Sequence, residues 1–268
     1  MKIIYFDLEH GSQTLGGHQD IQKLFGYPVL TPNTWDAFNS VLSKLYTKKR
    51  IETMKKVGNI EITDEEHAIV PKEGVLVDAL IIDTFSELSK KYMRSLVNPR
   101  TGTMKLQDWG KLKNALDTLL EKITRIPKVV ICNVHSKIQI MDDGGNKILP
   151  YIDGSTKEDI SKWFDFVFYT KAVNKPTGTE YQWITERSEL YDHAKDRTQL
   201  LDSIIPQDYQ LVIDAAKKRN FDGCRVLIIG SPGSGKTFAL KSLIKGNSPK
   251  AKIIPTSNET QANIGEMA

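Results

Sequence analysis

Gly230, Ser231, Pro232, Gly233, Ser234, Gly235, Lys236 and Thr237 form one octapeptide. It follows the apolar run Arg225–Ile229 and precedes the helix-patterned segment Phe238–Ile244. Glycines at these spacings let successive backbone N–H groups point inward, and a helix start adds a favourable field for an anion. Strand, loop and helix together spell a phosphate-binding loop. In it Lys236 would neutralise the β- and γ-phosphates of a nucleotide, and the Thr237 hydroxyl would bind Mg²⁺. The loop therefore demands an α/β fold with a strand ending at the ligand. Only 31 residues follow Thr237, too few for the rest of a nucleotide-hydrolysing domain, so the remaining parts have to come from the chain before it.

The whole sequence of 268 residues suffices for one large core or two small ones. A hydrophobic share of 40% and a charged share of 26% point to an ordinary globular chain. The formal net charge of +4 permits a nucleic-acid partner without requiring one. Cys132 and Cys224 each lie in or beside an apolar run, which reads as buried strand thiols in a reducing cytoplasm rather than a disulfide scaffold. The start Met1–Asp7 turns polar too soon for a signal peptide. No apolar stretch approaches the roughly 20 residues that span a bilayer, so no membrane partner is expected.

Short apolar runs alternate with helical patterns, the signature of a mostly parallel sheet with crossover helices. The strand candidates are Ile3–Phe6, Leu76–Ile82, Val129–Asn133, Phe166–Thr170 and Val226–Ile229, rich enough in Val, Ile, Leu and Phe to be buried on both faces. Helices are predicted over Asn33–Tyr46, with Asn33 or Thr34 as cap, and over Leu106–Ile126 and Pro206–Arg219. Two hairpins are expected, Ile138–Met141 with Lys147–Tyr151 and Phe166–Val173 with Glu180–Glu186, each around turn-forming residues. Lys44, Lys48, Lys49, Arg50, Lys55 and Lys56 make a basic cluster placed on a helix or its exit, either a solvated face or a nucleic-acid contact.

A nucleotide-bound Mg²⁺ also needs a carboxylate at a neighbouring strand end, and Asp78–Asp83 supplies it, with four apolar residues leading to Asp83. The segment Ile4–His10 runs through a strand into Asp7, Glu9 and His10. It resembles the strand-Asp-x-Glu-His segment of RecA-like recombinases. The resemblance implies that Glu9 polarises the attacking water as the catalytic base; no separate role follows for His10. Val129–Ser136 resembles the next core strand of that family, which ends in a polar sensor of the γ-phosphate, here His135. His193–Thr198 resembles the family's Lys-x-Arg segment, which implies that Lys195 and Arg197 enter a neighbouring subunit's site and stabilise transferred charge. That role needs a homo-oligomer.

With Leu106–Gly110 ahead of the long helix, these segments resemble the phage single-strand-annealing, RecA-like ATPases over most of residues 1–200 and 224–245. The implied fold is a three-layer α/β RecA-like P-loop NTPase with a mostly parallel central sheet. The departure is order. Family members begin with the loop, whereas this chain begins at Asp-x-Glu and ends with it, as a circular permutation cut in the first crossover would produce. The expected organisation is one domain over 1–245. It comprises a 1–205 core, a 206–223 connecting helix and the 224–245 strand-loop-helix, followed by a 246–268 tail that could add an edge strand. The implied function is Mg²⁺-dependent ATP hydrolysis in DNA recombination or single-strand annealing, with single-stranded DNA as partner, in the cytoplasm of an infected bacterial host. Three alternatives remain open. One is a loopless domain fused to a truncated second P-loop domain, and another is a nucleotide-binding loader with little turnover. The third is a permuted GTPase suggested by Asn174, Lys175 and Thr177, which lacks the Asp that would read guanine.

Overall fold

The computed structural model describes residues 2–244 apart from Gly17, Gly58, Asn59, Pro127, Asp143 and Thr177, and only the backbone of 51–66. The expected 246–268 tail strand lies outside the described residues. In chain order the elements are β1 (Ile3–Asp7), a 3-10 turn (Gly11–Leu15), α1 (His18–Phe25), α2 (Trp35–Leu45), β2 (Tyr46–Val57), β3 (Ile60–Pro71), β4 (Ala79–Asp83), α3 (Phe85–Leu96) and α4 (Leu106–Thr124). Then follow β5 (Val129–Ile140), β6 (Asn146–Pro150), α5 (Thr156–Asp159), β7 (Phe166–Lys175), β8 (Gly178–Ile184), β9 (Lys195–Asp196), β10 (Ile204–Pro206), α6 (Tyr209–Lys218), β11 (Cys224–Gly230) and α7 (Lys236–Ala239).

The main sheet runs β1-β4-β5-β11-β7-β8-β10, with β6 paired to β5 and β9 to β7. Its centre is parallel: β1 with β4, β4 with β5, and β11 with both β5 and β7. The last strand in sequence is thus a central strand in space, with Ile229 opposite Val134 on one side and Tyr169 on the other.

Because side chains alternate across a strand, these strands feed two cores. Phe6, Leu80, Ile82, Cys132, Leu227 and Ile229 pack with Phe38 of α2, Phe85 and Leu88 of α3 and Leu112 and Leu116 of α4. On the other face Tyr5, Ile81, Ile131, Phe168, Val226 and Ile228 meet Ile21 and Phe25 of α1, Tyr209 and Val212 of α6 and Ala239 of α7. The result is a mixed α/β, mostly parallel sandwich that fits a P-loop NTPase.

Several boundaries differ from the sequence expectation. The first long helix begins at Trp35, where the Thr34 hydroxyl accepts from the Ala37 N–H, and it stops at Leu45. The basic cluster therefore starts on the helix at Lys44 and continues from Lys48 along its exit, which is strand β2. Strand β2 pairs antiparallel with β3 from Tyr46↔Pro71 to Val57↔Ile60 as a separate two-stranded sheet. The third helix starts at Tyr209, capped by Asp208, because Pro206 belongs to β10. Helix α1 was not anticipated. Both expected hairpins form, β5–β6 and β7–β8, with the first continuing directly out of a core strand. The helix after the loop is shorter than expected: α7 gives way to a 3-10 turn at Leu240–Leu243.

Candidate active site

Asp7 and Asp83 lie opposite each other at the ends of β1 and β4, and both are buried. They do different work. Asp7 Oδ1 accepts from the backbone N–H of Glu9 (3.3 Å) and Gly11 (2.9 Å), and its Oδ2 accepts from the Ser12 N–H (3.0 Å). It folds the chain after β1 into a tight turn, with His10 in the left-handed region at φ 60°. That turn directs Glu9 toward β5. The first acid of the Asp-x-Glu pair is thus a turn former, and the second is the one presented to the site.

Glu9 is held from two sides. The Thr84 hydroxyl donates to its Oε1 at 2.6 Å, and His135 Nε2 lies 2.6 and 2.7 Å from its two oxygens. Burial disfavours its charge, but the contacts with His135 and Thr84 outweigh that and hold the carboxyl below its ordinary range. Thr84 also caps α3 by accepting from the Glu87 N–H. His135 is fixed through its backbone, whose N–H donates to Ser86 Oγ at 2.9 Å and whose carbonyl accepts from Tyr151.

Asp83 Oδ2 accepts from the Thr237 hydroxyl at 2.6 Å and from the Tyr5 hydroxyl at 3.1 Å. Burial raises its affinity for a proton, against the opposing pull of Thr237, Asn133, Lys236 and Tyr5. Lys236 shows the mirror effect. Its ammonium is brought down by burial and supported by the fields of Asp83 and Glu9, and it donates to the carbonyls of Gly230 (2.8 Å) and Ser231 (2.9 Å). Thr237 and Asp83, 154 residues apart in sequence, thereby meet in one pocket of charge.

The loop itself is clamped. A Cβ on Gly230 would sit 1.7 Å from Thr170 Oγ1, and that hydroxyl donates to Ser234 Oγ at 2.6 Å. Ser234 Oγ in turn donates to the Ser231 carbonyl. Gly233 and Gly235 have positive φ, at 76° and 87°, so Pro232 begins a loop whose curvature depends on glycine. Gln207, almost wholly buried, donates through Nε2 to the carbonyls of Ser234 (3.0 Å) and Gln182 (3.2 Å). It ties the loop to β8.

A nucleotide triphosphate with Mg²⁺ fits this residue set. At Gly233 the loop borders open space, with nothing within 4 Å of a Cβ built there, and Thr237 with Asp83 is the hydroxyl–carboxylate pair that Mg²⁺ takes when phosphate and water complete its shell. The structure brings together Gly230–Thr237, Asp83, Glu9 and His135. It does not bring Lys195 and Arg197 to the loop within this chain. Lys195 lies beside Val167 and Arg197 beside Asp165, at the end of β7 away from Thr170. There Lys195 donates to the Ser161 carbonyl and Arg197 to Asp165. Burial, then the nearby Arg197, bring the Lys195 ammonium down to about 8. Asn174 and Lys175 stand at the tip of the β7–β8 hairpin, with Asn174 accepting from Thr179.

Sequence reasoning missed Tyr5, Thr84, Thr170 and Gln207. Thr84 had a signal, since Thr84-x-x-Glu87 is a capping pattern directly after Asp83. The other three are brought in by sheet order alone.

A family model described as an AAA domain matches residues 1–198, a span that ends before the phosphate loop. No curated protein and no solved structure matches the chain significantly. No helix among the described residues is long and apolar enough to cross a membrane.

Proposed function

The chain belongs to the AAA domain family, and on that premise we propose that it is a RecA-like, Mg²⁺-dependent ATPase with circularly permuted motif order, acting in phage-type DNA recombination or single-strand annealing. One observation carries the ATPase reading: Thr237 of the loop contacts Asp83 at 2.6 Å, while Glu9 and His135 close the adjoining side. The permuted reading is supported by β11 lying between β5 and β7, and by a family match that spans the other motifs without the loop. A truncated second domain would have no reason to insert its first strand there.

In this reading the N–H groups of Gly230–Thr237 bind the phosphates and Lys236 neutralises charge that grows on them during transfer. Thr237 and Asp83 would hold Mg²⁺, which when bound offsets phosphate charge as a Lewis acid. Glu9, ionised and pinned by Thr84 and His135, accepts a hydrogen bond from the attacking water and orients it. His135 reports on that side of the site through its contact with Glu9. Lys195 and Arg197 are assigned to a neighbouring subunit's site in a homo-oligomer; Arg197 keeps 54% of its side chain exposed. The DNA role is supported by the family resemblance and by the exposed Lys48, Lys49 and Arg50 at the start of β2.

The test is nucleotide binding and turnover with and without Mg²⁺ in wild type and Lys236→Ala. The wild type is expected to hydrolyse ATP and to melt higher with Mg²⁺ and ATP, and the variant to lose about 10²–10³ in kcat. Equal turnover in the two proteins would remove the loop from the chemistry.

A further inference from the structure

Far from the loop, at the root of the β2–β3 arm, lies an open cavity of about 430 Å³ between α2, α4 and the first residues of β2. Strands β4 and β5 begin at this end of the molecule and finish at the nucleotide, so the two sites are roughly 20 Å apart for six residues of strand. The cavity wall is strongly one-signed. Lys48, Lys72, Lys122 and Arg125 line it against a single acid, Glu121, and Glu121 is already paired with Arg125 at 2.5 Å. Among the described residues Lys48, Lys72 and Lys122 enter no ion pair. Burial lowers the proton affinity of Lys122, with no carboxylate opposing it. Like charges gathered in a concave, partly desolvated space repel one another until an anion enters.

A second observation is independent of the charges. Tyr46, which also lines the cavity, is 2% exposed, and its hydroxyl is buried without a hydrogen-bond partner. A buried hydroxyl with no partner is costly, which leaves an unmet polar demand at this wall of the cavity. With Ile69 the Tyr46 ring supplies an apolar wall, which suits the sugar of a phosphodiester better than a free inorganic anion. Exposed Lys44 and Lys49 place further cations beside the cavity.

We propose that this cavity and the root of the β2–β3 arm hold the phosphodiester backbone of a single-stranded DNA, separate from the nucleotide site. The inference rests on the DNA half of the function above and is independent of the hydrolytic half.

The test is anisotropy of labelled oligothymidylate over a salt series with wild type, Lys72→Gln/Lys122→Gln and Lys72→Arg/Lys122→Arg, alongside basal ATP hydrolysis and melting in inorganic phosphate. Each phosphate contact removed lowers the slope of log affinity against log salt by about 0.7 for a single strand. The glutamine pair is expected to bind roughly tenfold or more weakly, with the slope reduced by about 1.4. The arginine pair should keep the wild-type slope, and basal hydrolysis should be unchanged in both. Wild-type affinity and slope in the glutamine pair would overturn the site while leaving a DNA role in place. Absence of oligonucleotide binding by wild type would overturn both. Phosphate-dependent stabilisation, lost in the glutamine pair with no oligonucleotide binding, would assign the cavity to free phosphate and overturn the strand.

Discussion

In the proposed reaction Asp83 has to be charged where the fold would rather have it neutral. Its carboxyl is buried beneath Thr237 and Tyr5, and burial raises its proton affinity above the ordinary value of 3.8. The native state therefore holds this proton at a pH where the unfolded chain has lost it, so stability falls as pH rises from that ordinary value through the folded one. Asparagine can accept the same two hydroxyl hydrogen bonds without the charge. Asp83→Asn should melt higher than wild type, with the gain larger at pH 8 than at pH 5, while Mg²⁺-dependent hydrolysis falls by about 10² or more. A variant that melts lower at both pH values would show that the carboxylate is structurally needed. Glu9 has the opposite sign. Its folded affinity is lowered, so the stability it adds is present above its ordinary value of 4.5 and is lost as pH falls through the folded one. The two acids illustrate how the balance of burial against hydrogen-bond partners decides which carboxylate holds its charge readily: burial wins at Asp83, and the partners win at Glu9.

At the scale of elements, the phosphate loop is shaped by neighbours as much as by its own glycines. Gly235 has φ 87°, and a Cβ there would stand 2.6 Å from Gln207 Oε1 and 2.9 Å from the Tyr181 ring. Gly235→Ala meets both a left-handed backbone and an occupied space, so a loss of about 1–3 kcal/mol is expected by thermal or denaturant unfolding, together with weaker nucleotide binding. Most of the loop, β1, β4 and the core of β5 were legible because fully apolar runs ending in Asp, Glu, His or Gly have few other readings. The β2–β3 arm was not. It pairs only with itself, and its strands carry charges on both faces, Lys48 and Lys49 on one strand for example, so no apolar period marks it. The available signal was Gly58-Asn59 between two β-rich stretches, a turn-type dipeptide. Thr170 and Gln207 were illegible for another reason: their role comes from strands that are distant in sequence and adjacent only in the folded sheet.

For the molecule as a whole, the decisive fact is that β11 lies inside the sheet. Val226, Leu227, Ile228 and Ile229 are wholly buried between β5 and β7. At about 1.5–3 kcal/mol for each buried side chain, they contribute roughly 6–12 kcal/mol, comparable to the entire net stability of a domain. The strand that carries the loop is thus part of the core and not an appendage at its end. The position of the loop in the sequence says little about its position in the site, because parallel strands can be joined in more than one order around the same sheet. What the chain order changes is which residues must travel furthest to meet: Glu9, near one end, and Lys236, near the other. Their encounter is the central claim, and Glu9→Gln tests it most directly. Side by side with wild type, the variant should bind Mg²⁺ and ATP within a few-fold of the normal affinity and hydrolyse about 10²–10⁴ more slowly. Wild-type turnover in Glu9→Gln would contradict the account, since the loop would then be working without the acid that the fold delivers to it.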